Sequence, residues 1–108
     1  MKKNKEEAEL QNSIMEWLDL HKVFHWRNNT GALKTENRFI KFGYKGSPDI
    51  ICVYGGQFIG IECKSPKGKQ NENQKEFQKK LEKAGGTYLL VKNIDTVILY
   101  FEDQLSIF

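Results

Sequence analysis

The sequence predicts an α/β fold in which helices flank a mixed β-sheet, and three patterns support this prediction. A helical repeat of apolar residues opens the chain, two β-type runs meet at Gly55-Gly56, and a second helical repeat precedes a β-type run at residues 87–91. Strands joined by a two-residue turn are antiparallel, whereas a strand that follows a helical crossover joins the sheet in parallel. The 108 residues are enough for one small domain, residues 1–108, with a single core.

The first predicted helix covers residues 5–21. Its apolar positions recur at three- and four-residue spacing, as in a helix with one packed face: Leu10, Ile14, Trp17, Leu18 and His21. Glu7 and Gln11 lie one turn apart, in the row that Ile14 and Leu18 continue. Both side chains should therefore lie along the edge of the packed face.

Short elements are predicted between this helix and the hairpin. Residues 23–27 form a β-type run, residues 28–31 (Asn-Asn-Thr-Gly) form a turn, and residues 38–42 form another short strand. Trp26, within the first of these runs, is assigned to the core, with stacking on an unpaired base as the alternative.

The hairpin is predicted to bring two carboxylates together. With Gly55-Gly56 as the turn, the register places Tyr54 opposite Gln57 and, five pairs further along, Asp49 opposite Glu62. Directly opposed side chains share a sheet face, with Cβ atoms about 4.5–5.5 Å apart. Lys64 follows Glu62 by two residues and lies on the same face. Alternation sends four apolar residues to the other face: Ile50, Cys52, Ile59 and Ile61.

A second helix is predicted at residues 72–83. Asn71 followed by Gln74 resembles a capping box, and Gly85-Gly86 ends the helix. Its apolar stripe consists of Phe77, Leu81 and Ala84.

The C-terminal part is predicted to add a strand and a helix. Residues 87–91 are apolar and β-branched or aromatic, so we expect a strand that is covered on both faces and parallel to its neighbour. Residues 95–101 are assigned to a third helix that Asp95 could cap.

Composition places the chain among soluble globular proteins. It is 39% hydrophobic and 29% charged, and no apolar run approaches the roughly 20 residues of a membrane span. Without a signal-peptide pattern, we expect a protein of the cytoplasm of whatever cell makes it. Cys52 pairs with Ile59, which leaves Cys63 roughly 13 Å away along the partner strand, too far for a disulfide.

Basic residues are concentrated ahead of the hairpin and just after it. The net charge is only +3, yet Glu36 is the single acid between Lys22 and Pro48. A basic stripe next to paired carboxylates indicates a polyanionic substrate, although charge alone also fits a solvated lysine-rich surface. The candidate phosphate contacts are Arg27, Lys34, Arg38, Lys41, Lys45, Lys67 and Lys69.

Asp49, Glu62 and Lys64 together predict a divalent-cation site. Mg²⁺ and Mn²⁺ prefer oxygen ligands and often take only one or two carboxylates, completed by backbone carbonyl, water and substrate phosphate. The backbone carbonyl of Cys63 is a natural third ligand. Lys64 could orient or deprotonate an attacking water, or stabilise charge that develops on phosphorus. His21 and His25 have no cysteine partner at zinc spacing and are assigned structural roles.

These motifs resemble a known nuclease family. Pro48-Asp49 followed by Glu62-Cys63-Lys64 resembles the PD-(D/E)xK nuclease signature, and the whole chain resembles its VRR-NUC (virus-type replication–repair nuclease) branch, in particular small stand-alone phage-type members. The other matching elements are Glu7 with Gln11, Gly46-Ser47-Pro48-Asp49, Glu62-Cys63-Lys64-Ser65, and Asn71-Glu72-Asn73-Gln74 followed by Ala84-Gly85-Gly86.

The resemblance implies a restriction-endonuclease-like core and a role for each matching residue. Asp49 and Glu62 would bind Mg²⁺ or Mn²⁺, and Lys64 would be the catalytic lysine. Gln74 would position water or the scissile phosphate. Glu7 would act as an outer acidic ligand through water.

Some assignments stay open at this point. A helix phase error of two residues would replace Glu7 by Glu9, and Gln11 is equally consistent with a functional or a structural role. The resemblance further implies a homodimer that cleaves branched DNA such as Holliday junctions in replication, repair or recombination. Ile107 and Phe108 are apolar candidates for its interface. The alternatives are a branched-DNA-binding module without catalysis and a restriction-type nuclease with sequence specificity.

Overall fold

The computed structural model describes residues 4–28 and 31–105, which form an α/β fold. The helices are α1 (Lys5–Leu20), α2 (Glu72–Lys83) and α3 (Asp95–Leu105). The strands are β1 (Phe24–Arg27), β2 (Gly31–Lys34), β3 (Phe39–Phe42), β4 (Ile50–Tyr54), β5 (Gln57–Cys63) and β6 (Thr87–Val91). Ile107 and Phe108, the predicted interface residues, lie outside the described residues.

A four-stranded mixed sheet in the order β1-β4-β5-β6 forms the centre of the fold. β4 is antiparallel to both β1 and β5, whereas β6 is parallel to β5. This arrangement confirms the predicted mixed sheet and the parallel strand after the helical crossover, because α2 carries the chain from one end of the sheet back to the other.

The hairpin between β4 and β5 has the predicted register, from Tyr54 opposite Gln57 to Ile50 opposite Ile61. Gly55 and Gly56 have φ values of 58° and 79°. Positive φ at both central residues is the conformation whose twist matches the flanking strands, and glycine adopts it without a Cβ clash.

The two faces of the sheet have different coverings. Helices α1 and α3 pack on the face of Ile50, Cys52 and Ile61, where these residues are fully buried. Helix α2 covers part of the opposite face, since a Cβ at Gly60 would lie 3.5 Å from Leu81. The fully buried apolar side chains that α1 and α3 contribute are Ile14, Leu18, Val97 and Phe101.

The cysteines lie as predicted, and each histidine contacts a side chain of α1. Both cysteines are free and buried, and burial raises the pKa of Cys52 from 9.0 to about 12. The His21 ring stacks on Trp17, with centroids 3.9 Å apart. The His25 Nε2 atom lies 3.3 Å from an Asp19 carboxylate oxygen.

Five local predictions were wrong. His21 and Ala84, assigned to the apolar stripes of the first and second helices, are exposed C-cap residues that follow the last residue of α1 and of α2. Trp26 is 41% exposed, on β1, which is an edge strand of the sheet. Leu90 is 37% exposed, so β6, the other edge strand, is not covered on both faces. Asn93, rather than Asp95, accepts the first amide of α3, at 2.9 Å.

The segment ahead of the hairpin contains a strand that the sequence did not predict. Gly31 begins β2, which pairs antiparallel with β3 in a separate two-stranded ribbon. Of the turn predicted at residues 28–31, Asn29 and Thr30 lie outside the described residues. No helix in the described ranges is long and apolar enough to cross a membrane.

Candidate active site

Polar side chains are buried at one end of the central strands. Among the residues whose burial is described, the buried polar or charged ones are Glu7, Gln11, Glu62 and Lys64, with exposures of 9%, 8%, 1% and 7%. Taking a charge out of water costs several kcal/mol unless it is paired and hydrogen-bonded. All four were named from the sequence as candidate functional residues. The candidate site therefore contains the buried polar and charged side chains of the described residues.

Asp49 lies one residue before β4, at the open end of the hairpin. Its Oδ2 atom accepts a hydrogen bond from the Cys63 backbone amide at 2.8 Å. Continued by one pair beyond Ile50 and Ile61, the register sets Asp49 opposite Glu62. Since the side chain of Cys63 is fully buried in the core, Glu62 points to the other face.

Glu62 and Lys64 form a buried ion pair. The Lys64 Nζ atom lies 3.5 Å from Glu62 Oε2. The two positions are two residues apart along the extended chain, so both side chains lie on one face as predicted. The Lys64 amide donates to the Val91 carbonyl at 2.9 Å, which extends the pairing of β5 with β6 beyond Cys63. The backbone that carries the lysine is therefore anchored in the sheet.

Gln74 links helix α2 to Glu62. Its Oε1 atom accepts from the Asn71 amide at 3.0 Å, and its backbone amide donates to Asn71 Oδ1 at 2.9 Å, which completes the capping box. With Oε1 so engaged, Nε2 is directed towards Glu62 Oε2, 3.3 Å away. The helix cap thus fixes the orientation of the amide that contacts the buried carboxylate.

Glu7 reaches the loop that follows Lys64. Its Oε2 atom accepts from the Ser65 amide at 2.9 Å, whereas Glu6 and Glu9 are exposed. A Cβ at Gly68 would lie 3.3 Å from both Glu7 Oε2 and Lys64 Cβ, so this loop passes close over the two side chains. Of the acidic residues on α1, Glu7 is the one that contacts the candidate site. Gln11 lies buried one turn further along the helix.

Asn28 holds the segment that leads into Asp49, a role that was not predicted. The Asn28 side chain donates to Ser47 Oγ at 2.7 Å and to the Pro48 carbonyl at 2.9 Å, and its backbone amide donates to the Asp49 carbonyl at 2.8 Å. The sequence indicated a turn there, because the pairing of β1 with β4 cannot be read from a local pattern.

Two glycines allow close approach of neighbouring segments. At Gly60, an added Cβ would lie 2.6 Å from Pro48, the residue before Asp49. At Gly46, with φ of 83°, an added Cβ would lie 2.3 Å from the Asn73 carbonyl oxygen. Only glycine lets the segment before Asp49 pack this closely against the start of α2.

The donor set fits a hard divalent cation with few protein ligands. Within residues 4–28 and 31–105, no group of three His, Cys, Asp or Glu side chains is placed to hold a metal ion. The oxygen donors that remain are the carboxylates of Asp49 and Glu62, which the continued register sets opposite each other, and the backbone carbonyl of Cys63, the residue after Glu62 on β5. This set suits Mg²⁺ or Mn²⁺ when water and substrate oxygens complete the coordination.

The candidate phosphate contacts are all exposed, but they lie on separate segments. Lys34 and Lys41 share one face of the β2–β3 ribbon with Phe39, which is 63% exposed. Arg27 donates to Asn12 Oδ1 at 2.9 Å. The rest lie outside the ribbon's strands: Arg38 precedes β3, Lys45 follows it, and Lys67 and Lys69 belong to the loop after Lys64.

No protein-family profile and no curated protein matches this chain.

Proposed function

We propose that this protein is a metal-dependent endonuclease of the PD-(D/E)xK superfamily, of the VRR-NUC type, that hydrolyses phosphodiester bonds in branched DNA. The observation that carries the proposal is the buried Glu62–Lys64 pair at 3.5 Å, together with the Asp49 carboxylate that accepts from the amide of Cys63, the residue between them in sequence. A buried ion pair is often no better for stability than apolar side chains of similar size. Its presence favours a chemical role.

The fold supports this proposal at a coarser level. A mixed sheet with a hairpin that carries the acidic residues, and helices on both faces, is compatible with a restriction-endonuclease-like core. In such a core the strand ends set the relative positions of the acids and the lysine. In the proposed enzyme, the ends of β4 and β5 would have this function.

Each residue of the site has a chemical task in the proposed reaction. Asp49 and Glu62, with the Cys63 carbonyl, would hold Mg²⁺ or Mn²⁺, which supplies charge neutralisation at the phosphate and a more acidic water. Lys64 would hold the attacking water or stabilise the charge that develops on the phosphate oxygens. Gln74, fixed by its capping box, would orient water or the scissile phosphate. Glu7 would contact the metal through a bridging water, because one of its carboxylate oxygens already accepts a hydrogen bond from the Ser65 amide.

DNA is the substrate that the surface charge favours. Exposed cations lie on the β2–β3 ribbon and on the loop that follows Lys64. Contacts from such side chains to phosphates set affinity and salt dependence, not sequence preference. A homodimer would place two sites on one junction. Light scattering on the purified protein would show whether it is a dimer.

The decisive experiment is cleavage of a labelled four-way junction, a flap and a linear duplex in Mg²⁺, Mn²⁺ or excess chelator. We expect cleavage of the branched substrates only with a divalent ion. Asp49→Asn and Lys64→Met should abolish it, while Lys79→Met, on an exposed position of α2, should not. Full activity of either site variant, or activity in chelator, would disprove the mechanism.

The same assay separates the alternative functions. A branched-DNA-binding module would bind junctions equally well without divalent ions and never cut them. A restriction-type nuclease would cut linear plasmid DNA into discrete fragments. Either result would replace the proposed function.

A further inference from the structure

A cleft of about 400 Å³ lies beside the candidate active site, between the segment after β3 and helix α2. The side chains that line it are Tyr44, Lys45, Asn73, Glu76, Phe77 and Lys80. On α2 these residues follow three- and four-residue spacing, so they form one stripe along the helix. The cleft therefore has one wall from an irregular segment and one from a regular helix.

The aromatic part of the cleft offers a stacking surface. Tyr44 is 58% exposed, and its ring packs against Phe77 with centroids 5.4 Å apart and an interplanar angle of 73°. The contact holds the two rings together, and the exposed part of the Tyr44 ring is available for stacking. Bases of any identity stack on such rings, because every base has a π face.

The polar part of the cleft suits a phosphate and a base edge. Lys45 and Lys80 are exposed cations at its rim, and Glu76 is the single acid in its lining. The Asn73 amide can both donate and accept hydrogen bonds. An aromatic face, cations and an amide together match the chemistry of one nucleotide, and only an unpaired nucleotide exposes its base for stacking.

Both walls of the cleft continue directly into the candidate site. Gly46 packs against the backbone of Asn73 and precedes Asp49 by three residues. Asn73 itself precedes Gln74, which contacts Glu62. The cleft is therefore linked to the candidate site through the segment of Gly46 on one wall and through Asn73 on the other.

We propose that this cleft binds an unpaired nucleotide next to the scissile phosphate, with its base stacked on Tyr44 and its phosphate bound by Lys45 and Lys80. The inference rests on the proposed nuclease function and deepens it, because it names the structural feature of the DNA that the enzyme selects. Flaps and splayed junctions supply such a nucleotide, whereas a continuous duplex does not.

The test uses flap DNA with 2-aminopurine, a base whose fluorescence falls on stacking, at the unpaired position nearest the branch. Asp49→Asn, which keeps an oxygen acceptor for the Cys63 amide, serves as the non-cleaving background. We expect binding to quench the probe. Tyr44→Ala should remove the quenching and weaken flap binding by about 5- to 150-fold. Tyr44→Phe should retain both, because stacking requires only the ring.

Two controls complete the design. Phe24→Ala removes another exposed aromatic side chain, on edge strand β1, and should leave quenching and affinity unchanged. The probe placed within the duplex arm should not respond. In the otherwise unaltered chain with Mg²⁺, Tyr44→Ala should raise KM for flaps, an assay that does not depend on the Asp49 variant.

The outcomes distinguish this inference from the proposed function. Equal quenching and equal affinity in Tyr44→Ala would overturn the cleft assignment, even if the protein cleaves flaps. Quenching that depends on Tyr44 in a protein that never cleaves DNA would support the cleft and disprove the nuclease.

Discussion

The side chain of Gln74 donates to the buried Glu62 carboxylate at 3.3 Å while its own oxygen closes the capping box of α2. A helix cap normally acts locally, by accepting hydrogen bonds from backbone amides at the start of the helix. In this protein it also orients an amide within the candidate site. The start of α2 is therefore coupled to the end of β5.

This coupling predicts that loss of the cap affects activity. Asn71→Ala removes the acceptor of the Gln74 amide, so it should cost about 1 kcal/mol of stability and slow junction cleavage. Asn93→Ala, which removes the acceptor of the Asp95 amide at α3, is the matched control. It should cost similar stability with unchanged cleavage. Urea denaturation and cleavage rates measure the two effects, and equal rates for both variants would refute the coupling.

The Glu62–Lys64 pair predicts strongly non-additive stability effects. Lys64→Met leaves a carboxylate at 1% exposure beside an apolar side chain and should destabilise the fold by about 3–5 kcal/mol. The double variant with Glu62→Gln should lose much less than the sum of the single losses. Urea denaturation of the four proteins gives the coupling free energy.

An exposed pair of the same length provides the control. Lys75 and Glu72 also lie 3.5 Å apart, but their side chains are 53% and 92% exposed. Lys75→Met should change stability by less than about 1 kcal/mol, since water screens the pair. A similar loss for both lysines would show that burial of the Glu62–Lys64 pair has no special cost.

Substitution of Gly46 should have a steric cost, and the same substitution at Gly56 separates this cost from backbone strain. Gly46 and Gly56 have φ of 83° and 79°, so alanine at either position incurs the same backbone strain, about 1–2 kcal/mol. At Gly56 an added Cβ has nothing within 4 Å, whereas at Gly46 it meets the Asn73 backbone. Gly46→Ala should therefore cost at least about 1 kcal/mol more in urea denaturation and should also slow cleavage. Equal losses would show that Asn73 moves aside freely.

Metal binding predicts a ligand-dependent gain in stability. Mn²⁺ at 100 times its Kd should stabilise the fold by about 2.7 kcal/mol, because it binds only the folded site. The rise in melting temperature should vanish with excess chelator and in Asp49→Asn. Asp95→Asn alters an exposed carboxylate on α3 and should keep the full rise. A rise that persists in Asp49→Asn would locate the ion elsewhere.

The Cys52 thiol predicts a loss of stability at alkaline pH. Burial raises its pKa from 9.0 to about 12 in the folded protein, so the unfolded chain loses the proton first as pH rises. Between these values the unfolded state binds fewer protons, and stability falls by at most about 1.4 kcal/mol per pH unit from this group. Below pH 9 both states are protonated and the contribution is constant. Denaturation from pH 8 to 11, compared with Cys52→Ala, should show a shallower decline in the variant.

Local patterns in the sequence were sufficient to predict the hairpin, the helices and the shared face of Asp49, Glu62 and Lys64. Gly55-Gly56 fixes a two-residue turn, and the turn fixes the register, because side chains alternate strictly along a strand. From this alone Asp49 lies opposite Glu62, and Lys64 joins the same face. The capping box of Asn71 and Gln74 is equally local, since its partners are three residues apart.

Long-range contacts decided what the local patterns left open. The choice of Glu7 over Glu9 depends on the Ser65 amide, 58 residues away, and the hydrogen bonds of Asn28 depend on the pairing of β1 with β4. Trp26 is exposed because its strand lies at a sheet edge, which no periodicity reveals. The sequence by itself determined which residues share a face, because that follows from backbone geometry within one element. The tertiary structure decided which of these faces are buried and which side chains meet, because both depend on packing between elements distant in the chain.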